Sequence, residues 1–343
     1  MHLERIVVVM PNWFGEVLFA TPFLGALRAA YPQAFIAALG VPRSQEVLAN
    51  NPHLDEFLLY DERGLHRALW AKRILMTTLR SRRVETAFIL RRSLERTMLL
   101  VLAGIRRRIG FDNLKSGWLL TERVQAPPAS THKASSYLWL LEPLGVVEHR
   151  TTYRYYPSEE ERAQALVLLR KHGLPEGKPL IVLHPGANWS HKRWPADCFA
   201  QLADRLSRQH ACSIVMTGSP DDRPLVQAIG ERMAVPPCPL VGQTTLRQLA
   251  ACLERADLVV SNDTGPLHIA SALGRPVVAL YGPTSPAITG PLGDPTRTRV
   301  IHHDDCCPTI PCFQPKHPRY PGMNAITVDE VYEAANHLLH ATH

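Results

Sequence analysis

The fold is decided by residues 258–281, which read LVVSNDTGPLHIASALGRPVVALY. Two apolar, β-branched runs, Leu258–Ser261 and Pro276–Tyr281, flank a segment with a helical pattern. A proline at position 266 suits the first turn of that helix, where its missing N–H costs nothing. The stretch therefore predicts one strand–helix–strand unit of a parallel sheet.

The same alternation of short apolar runs and helical patterns continues along the whole chain. The other strand candidates are Ile6–Met10, Phe35–Gly40, Glu56–Tyr60, Thr86–Leu90, Arg108–Phe111, Leu180–His184, Cys212–Thr217 and Leu240–Gly242. This pattern predicts an α/β protein with two Rossmann-like domains that face each other across a cleft. We place the domains at 1–155 and 156–325 and a last amphipathic helix in 326–343. Ser158 and Glu161 form a capping-box pattern just after the boundary.

Composition narrows the class of protein. The 343 residues are 45% hydrophobic and 20% charged, which is ordinary for a globular protein and excludes a fibre or a multi-span membrane protein. The net charge is +7, and residues 62–123 hold fifteen basic against five acidic side chains. This basic segment predicts a positively charged surface that suits phosphate groups, nucleic acid or an acidic membrane. A solvated surface with excess arginine explains the same composition about equally well.

Cysteine usage and hydropathy suggest a compartment. Seven cysteines are an odd number, and four of them lie in or beside apolar helix and strand patterns, which favours a reducing environment. The longest apolar run, Met98–Ile105, is far shorter than the ~18 residues that span a bilayer. We therefore expect a cytoplasmic protein, soluble or peripheral on a membrane.

Two loops in the second half are suited to a diphosphate. In the first, Asp263, Thr264 and Gly265 lead from a buried strand into a helix whose free N–H groups attract anions, and His268 lies on the same helix face. In the second, residues 184–188 (HPGAN) leave another strand and precede Lys192, a compact point charge. The alternatives are a simple helix cap and a basic surface turn. Neither a GxxxxGK[ST] nor a GxGxxG pattern is present.

A third loop lies in the first half, where residues 11–16 (PNWFGE) follow the first strand and open a helix that we extend to Arg28. Glu16 would sit in the first turn of this helix. A carboxylate there can accept a proton from a hydroxyl group if it is partly desolvated, although the helix dipole favours its less basic, ionised form. The simpler interpretation is that Glu16 only complements the dipole.

These stretches resemble glycosyltransferase family 9, the lipopolysaccharide heptosyltransferases, and its heptosyltransferase II branch in particular. The similarity rests on residues 11–28, 184–195, 240–250 and 259–286, and it extends over nearly the whole chain. It implies a GT-B fold with an acceptor domain, a nucleotide-sugar domain and a last helix that crosses back to the first domain. It also implies inverting transfer of L-glycero-D-manno-heptose from ADP-heptose to the inner core, on heptosyl-Kdo2-lipid A, without a metal.

The resemblance also assigns roles to residues. Lys192 would neutralise the leaving diphosphate, and Glu16 would be the catalytic base. Asp263 and His268 would contact sugar hydroxyls. The full set of implied donor-binding residues is Pro185, Gly186, Ala187, Asn188, Lys192, Thr244, Leu246, Asp263, Thr264, Gly265 and His268. The implied acceptor-binding residues are Asn12, Trp13, Arg91 and Arg92.

The chain departs from the family at two positions. The family usually has Asp where this chain has Glu16, and heptosyltransferases II tend to have Asn-Ser where this chain has Arg91-Arg92-Ser93. Extra arginines there suit a phosphate or a keto-acid carboxylate on the acceptor, because the guanidinium fork fits both. The expected partners are a nucleotide sugar and an anionic lipopolysaccharide precursor at the inner membrane surface, and no nucleic acid.

Three alternatives stay open from the sequence. One is a family relative that uses another nucleotide sugar or acceptor, and a second is an epimerase of similar two-domain build. A basic nucleic-acid-binding protein is the third, although no DNA- or RNA-binding motif is present. Cys306, Cys307 and Cys312, with nearby histidines, have metal-ligand chemistry but no standard spacing, so we expect a structural loop and no metal.

Overall fold

The computed structural model describes residues 3–148, 150–174, 177–303 and 322–341. The chain divides into two compact units, Met1–Tyr156 and Pro157–His343. Each is a parallel sheet with helices on its faces.

In its described residues the first unit has six strands and six α-helices. They are β1 (Arg5–Val9), α1 (Phe14–Phe19), α2 (Thr21–Ala30), β2 (Phe35–Gly40), α3 (Pro42–Leu48), β3 (Glu56–Leu59), α4 (Leu69–Ser81), β4 (Thr86–Ile89), α5 (Leu94–Leu102), β5 (Arg107–Phe111), β6 (Glu122–Val124) and α6 (Lys133–Leu138). All neighbouring strands are parallel, in the order β3-β2-β1-β4-β5-β6. The central strands β1 and β4 are buried on both faces, as their continuous apolar runs predict.

The second unit repeats this plan. Its elements are α7 (Glu159–Lys171), β7 (Leu180–His184), α8 (Ala196–His210), β8 (Ser213–Met216), α9 (Arg223–Gly230), β9 (Cys238–Pro239), α10 (Leu246–Leu253), β10 (Leu258–Asn262), α11 (Gly265–Ala272), β11 (Val277–Tyr281), α12 (Pro286–Thr289), β12 (Thr298–His302) and α13 (Val328–His340). The parallel sheet has the order β12-β11-β10-β7-β8-β9. Counted from β7, this is the same order as in the first unit, so the prediction of two Rossmann-like α/β units is confirmed.

The last helix, α13, packs in the second unit. Its buried side chains, including Val331, Ala335 and Leu338, join the core formed by β10, β11 and α8. The predicted crossing of this helix to the first domain stays a prediction. The capping box at Ser158 and Glu161 is confirmed: the Ser158 hydroxyl accepts from the Glu161 N–H, and the Glu161 carboxylate accepts from the Ser158 N–H.

The structure corrects the sequence analysis in three places. Residues 240–242, predicted as a strand, form a turn with Gly242 at φ 66°, and the short strand lies just before it. Strands β6 and β12 were not predicted. The single helix expected to run to Arg28 is broken at Ala20, because Pro22 has no N–H to continue the ladder; the Thr21 hydroxyl donates to the Leu18 carbonyl instead.

Candidate active site

The motif loops lie at the topological switch point of each sheet. In the first unit β1 and β4 are neighbours, and the loops carrying Glu16 and Arg91 follow these two strands. In the second unit β7 and β10 are neighbours, and the loops carrying Gly186 and Asp263 follow them. Ligands of doubly wound sheets bind at this point, outside the carboxyl ends of the strands. Each unit therefore offers one candidate binding site.

The loop after β7, which we call the donor loop because it carries predicted donor-binding residues, is held by buried polar groups. His184 Nδ1 lies 3.0 Å from the Thr217 hydroxyl, and burial lowers the pKa of His184 to about 4, so its ring is neutral at pH 7. A methyl group on Gly186 would lie 2.6 Å from a carboxylate oxygen of Asp222. Only glycine fits this close approach, which explains the glycine at position 186. Ala187 is buried, and Asn188 is exposed.

Asn262 links the donor loop to the end of β10. Its amide Nδ2 donates to the Pro185 carbonyl over 2.8 Å, and its Oδ1 accepts from the Trp194 N–H over 3.1 Å. Arg193 adds a second link, because its guanidinium donates to the Ala187 carbonyl over 3.0 and 2.8 Å. The loops at 185–188 and 190–194 are thereby fixed against the end of β10.

Asp263 is the centre of a buried charged cluster. Its carboxylate lies 2.5 Å from Lys192 Nζ, accepts a 2.6 Å hydrogen bond from the Thr284 hydroxyl, and lies 3.5 Å from His268 Nε2. Burial alone would raise the pKa of Asp263. The hydrogen bond with His268 and the positive charge of Lys192 outweigh that effect and hold this pKa well below its usual range. Asp263 is therefore an anion throughout the physiological range and a poor proton acceptor.

The turn after Asp263 leads into helix α11. Thr264 is the N-cap, and among the described residues its side chain makes no capping bond; its hydroxyl lies 3.2 Å from the Ser261 hydroxyl. Gly265 and Pro266 form the first turn. First-turn N–H groups at a helix N-terminus attract a phosphate. The structure thus brings Lys192, Asp263, His268 and this helix start together, as the sequence predicted.

Thr244 and Leu246 lie at another helix start. Leu246 begins α10, whose N-cap Thr245 forms a capping box with Gln248. The α10 helix is anchored by Arg247, which donates to the Glu161 carboxylate of α7 over 2.6 Å. No described contact of Thr244 or Leu246 links them to the Asp263 cluster, so their role in donor binding stays a prediction.

In the first unit, Glu16 lies in the first turn of α1, as predicted. Burial raises the pKa of Glu16, and the nearby charges of Lys133 and Arg91 only partly oppose that effect. A glutamate whose pKa is raised by burial is a better proton acceptor than an exposed glutamate.

The loop after β1, which we call the acceptor loop because it carries predicted acceptor-binding residues, is held by a buried arginine. Arg96, completely buried on α5, donates to the Met10 carbonyl over 3.1 Å and to Asn12 Oδ1 over 2.9 Å. Its Nε donates to Glu62 over 3.4 Å. The same Glu62 carboxylate accepts from Arg91 over 3.0 Å and from the Asn12 amide over 3.4 Å. The predicted residues Asn12 and Arg91 are therefore held by one network.

The other two predicted acceptor residues lie outside this network. Trp13 is 59% exposed, and the Arg43 guanidinium lies 5.7 Å from its ring centroid. Arg92 is exposed. Both are accessible to a ligand.

The comparison with known families settles the class of protein. The model of "Glycosyltransferase family 9 (heptosyltransferase)" matches residues 73–314, which is more than half of the chain. The chain belongs to this family.

Relatives of family 9 match over most of their length. Lipopolysaccharide heptosyltransferase 2 of Salmonella typhimurium is 28% identical over 310 residues, 87% of each chain. The crystal structure of the glycosyl transferase family 9 from Veillonella parvula superimposes with a TM-score of 0.89, 29% identity and 99% coverage of both chains. The structure of E. coli ADP-heptose lps heptosyltransferase II has a TM-score of 0.80 and 27% identity, covering 98% of this chain and 99% of its own.

These comparisons confirm the predicted α/β fold of the GT-B type and the prediction that the chain is a glycosyltransferase. Within the described part of the chain, no helix is both long and apolar enough to span a bilayer. In the same part, no three His, Cys, Asp or Glu side chains are grouped so as to hold a metal ion. Cys306, Cys307 and Cys312 lie outside the described residues, and the prediction of metal-free activity is not tested.

Sequence reasoning missed several residues of the candidate site. Thr284, Asn262 and Lys133 contact or influence the predicted residues, and Arg96 and Glu62 hold the acceptor loop. Asn262 had a usable signal, since it directly precedes Asp263 at the end of a buried strand. Thr284 lies in the stretch 259–286 but 21 residues beyond Asp263, and its spacing carries no signal. The other three are distant in sequence from the residues that they contact or influence.

Proposed function

We propose that this family 9 enzyme is an inverting glycosyltransferase that moves L-glycero-D-manno-heptose from ADP-heptose to heptosyl-Kdo2-lipid A of the lipopolysaccharide inner core. The donor and acceptor classes are supported by the relatives, among them lipopolysaccharide heptosyltransferase 2 and ADP-heptose lps heptosyltransferase II. The chemistry is supported by the residues at the two switch points.

One observation carries the proposal: the pKa values of the two motif carboxylates are shifted in opposite directions. Burial raises the pKa of Glu16, whereas Lys192 and His268 hold the pKa of Asp263 below its usual range. When the environments of two carboxylates move their pKa values apart, the group with the raised pKa suits proton transfer and the other suits electrostatic work. Glu16 is therefore the general base, and Asp263 is a fixed anion.

On the donor side, Lys192 and the start of α11 would bind the diphosphate. Lys192 lies 2.5 Å from Asp263, so its position is fixed before the donor arrives. Negative charge grows on the diphosphate as the anomeric bond breaks, and a cation already in place stabilises it without reorganisation. His268 and Asp263 would hold sugar hydroxyls. Pro185, Gly186, Ala187 and Asn188 would surround the phosphates.

On the acceptor side, Glu16 would act on the nucleophilic hydroxyl. In the proposed step the acceptor oxygen forms a bond to the anomeric carbon, the bond from that carbon to the phosphate oxygen breaks, and ADP leaves with the electron pair. The hydroxyl proton goes to Glu16. One displacement of this kind inverts the anomeric configuration. Asn12, Trp13, Arg91 and Arg92 would hold the anionic acceptor.

The remaining parts of the proposal concern conditions and location. The reaction would need no metal or cofactor, because Lys192 and helix N–H groups replace a cation at the diphosphate. The enzyme would act in the cytoplasm, peripheral on the inner face of the inner membrane, with a nucleotide sugar and a lipopolysaccharide precursor as partners and no nucleic acid. The unit ending at Tyr156 would bind the acceptor, and the second unit would bind the donor.

The test is incubation of the protein with ADP-heptose and purified heptosyl-Kdo2-lipid A, followed by mass analysis of the lipid product. We expect a mass increase of one heptose, in the presence of EDTA as well as in its absence. ADP-glucose and UDP-glucose serve as competing donors. Transfer from one of these donors, with none from ADP-heptose, would show a family relative with another donor.

A further inference from the structure

Helix α4 of the first unit has an apolar outer surface. Its inward side chains Leu75 and Leu79 are buried in the core against the sheet. On the opposite side, Leu69, Trp70 and Ile74 are 77%, 59% and 57% exposed. Large apolar side chains scattered singly on a surface need no explanation, but three within six residues form a patch that does.

This patch lies in a strongly basic segment. Residues 63–84 contain seven Lys and Arg and no Asp or Glu. Lys72 and Arg82 pair with Glu95 and Glu56. Arg63, Arg67 and Arg73 are exposed beside the apolar side chains. We call Leu65, Arg67, Leu69, Trp70, Arg73 and Ile74 the basic-apolar face.

The next helix also has exposed apolar side chains. Lys72 of α4 bonds Glu95 of α5 over 2.5 Å, and Arg80 near the end of α4 donates to the Leu102 carbonyl at the end of α5 over 2.5 Å. The two helices therefore lie side by side along their length. Leu94 and Leu102 of α5 are 46% and 55% exposed. The exposed apolar side chains thus cover two adjacent helices.

We propose that the basic-apolar face docks on the surface of an anionic lipid bilayer. Trp and Leu next to arginines are the composition of helices that lie in a membrane interface, where the rings enter the headgroup region and the cations meet lipid phosphates. A second copy of the chain fits poorly, because a symmetric contact would place the same cations opposite one another.

The docking surface adjoins the acceptor loops within the first unit. Glu62, one residue before the basic segment, bonds Asn12 and Arg91. Docking would therefore bring these loops to the bilayer in which a lipid-linked acceptor is embedded. This inference rests on the proposed function, because a lipid acceptor is the reason for docking, but its test measures binding to lipid and not transfer.

The test is flotation of the full chain with phosphatidylcholine vesicles that contain or lack phosphatidylglycerol. We expect binding to the anionic vesicles only, with affinity that falls as salt rises. Arg67→Glu with Arg73→Glu should weaken binding at least about 30-fold, since each basic residue at such a surface contributes roughly a factor of five. Trp70→Ser with Ile74→Ser should weaken it at least about tenfold.

The matched control is Val167→Ser with Arg208→Glu, which changes equally exposed residues on α7 and α8. It should bind vesicles like the wild type. All variants should keep the wild-type circular dichroism melt, because exposed substitutions rarely change stability by more than ~0.5 kcal/mol. Absence of wild-type binding to anionic vesicles, or equal binding by the face variants and the control, would overturn the inference.

A transfer assay with a delipidated, water-soluble acceptor separates this inference from the proposed function. The face variants should transfer heptose to it at the wild-type rate. If the wild type transfers no heptose to any acceptor, yet anionic vesicles bind through the basic-apolar face, the proposed function is wrong and the docking surface stands. Light scattering that shows a dimer lost in Trp70→Ser, without vesicle binding, would identify a contact between copies instead.

Discussion

Arg96 gives the sharpest test of how the acceptor loop is held. Its guanidinium donates to the Met10 carbonyl, to Asn12 and to Glu62, and its side chain is fully buried. We consider Arg96→Met, which keeps much of the apolar stem and removes all three donors. Without them, the Met10 carbonyl loses a buried donor and Asn12 loses the partner of its Oδ1.

The magnitude follows from these contacts. Hydrogen bonds that involve a charged group contribute about 1.5–3 kcal/mol each, and breaking a buried ion pair costs about 3–5 kcal/mol. Glu62 keeps its bond to Arg91, and its side chain is 18% exposed, so the lower end applies. We expect a local loss of about 3 kcal/mol, which corresponds to a factor of roughly 100 in an equilibrium constant.

Hydrogen exchange followed by mass spectrometry measures this loss where it occurs. Amides in residues 5–13 should exchange about 100-fold faster in Arg96→Met, while those of the second unit are unchanged. Arg82→Met is the control, because its bond to Glu56 over 2.8 Å is exposed and exposed ion pairs contribute little to stability. The acceptor KM should rise in Arg96→Met and the Kd for ADP should not. Exchange within about threefold of the wild type would refute the assigned role of Arg96.

Three further predictions concern charge at the two sites. Lys192→Ala should lower turnover on the order of 10²-fold or more and weaken ADP binding by less, measured by steady-state kinetics and calorimetry; equal losses would mean simple ground-state binding. Arg91→Glu with Arg92→Glu should raise the acceptor KM and leave the donor KM nearly constant; an unchanged acceptor KM would make these arginines a solvated surface. Glu16→Gln should stabilise the protein in denaturant titrations at pH 7. Burial raises the folded-state pKa of Glu16, so the protonated carboxyl stabilises the folded protein relative to the ionised carboxylate. In the wild type this contribution is complete below the unfolded-state pKa and is lost as pH rises through the folded-state pKa, whereas a glutamine stays uncharged. The gain should vanish below pH ~4, where the wild-type carboxyl is also neutral; a variant less stable than the wild type at pH 7 would contradict the raised pKa.

Much of the fold could be predicted from local patterns. Strands buried on both faces appear as continuous apolar runs, so the four central strands were found with errors of one residue at their ends. Edge strands carry a weaker signal. In β12 the sequence is TRVIH, with its side chains only partly buried, and nothing in its pattern separates it from a loop. The two-residue strand β9 is defined only by its pairing with β8.

The site was predictable where its residues share a loop and unpredictable where they meet through tertiary packing. Asp263, Gly265 and His268 are neighbours in sequence, so their cluster follows from one strand–turn–helix unit. The raised pKa of Glu16 does not follow from its local sequence. It depends on burial beneath α6 and on Lys133, 117 residues away, whereas the sequence could name desolvation and the helix dipole only as opposing effects and could not decide between them.

The central claim is that Glu16 removes the acceptor proton while Asp263 stays an anion on the donor side. The measurement that tests it most directly is the single-turnover rate of heptose transfer across pH for the wild type, Glu16→Gln and Asp263→Asn, each shown to bind ADP. We predict that Glu16→Gln loses about 10²–10⁴-fold in rate and also loses the acidic limb of the profile, which in the wild type lies above the usual glutamate range. Asp263→Asn should keep the acidic limb. Near wild-type transfer by Glu16→Gln, with transfer abolished in Asp263→Asn, would contradict the account and place the base on the donor side.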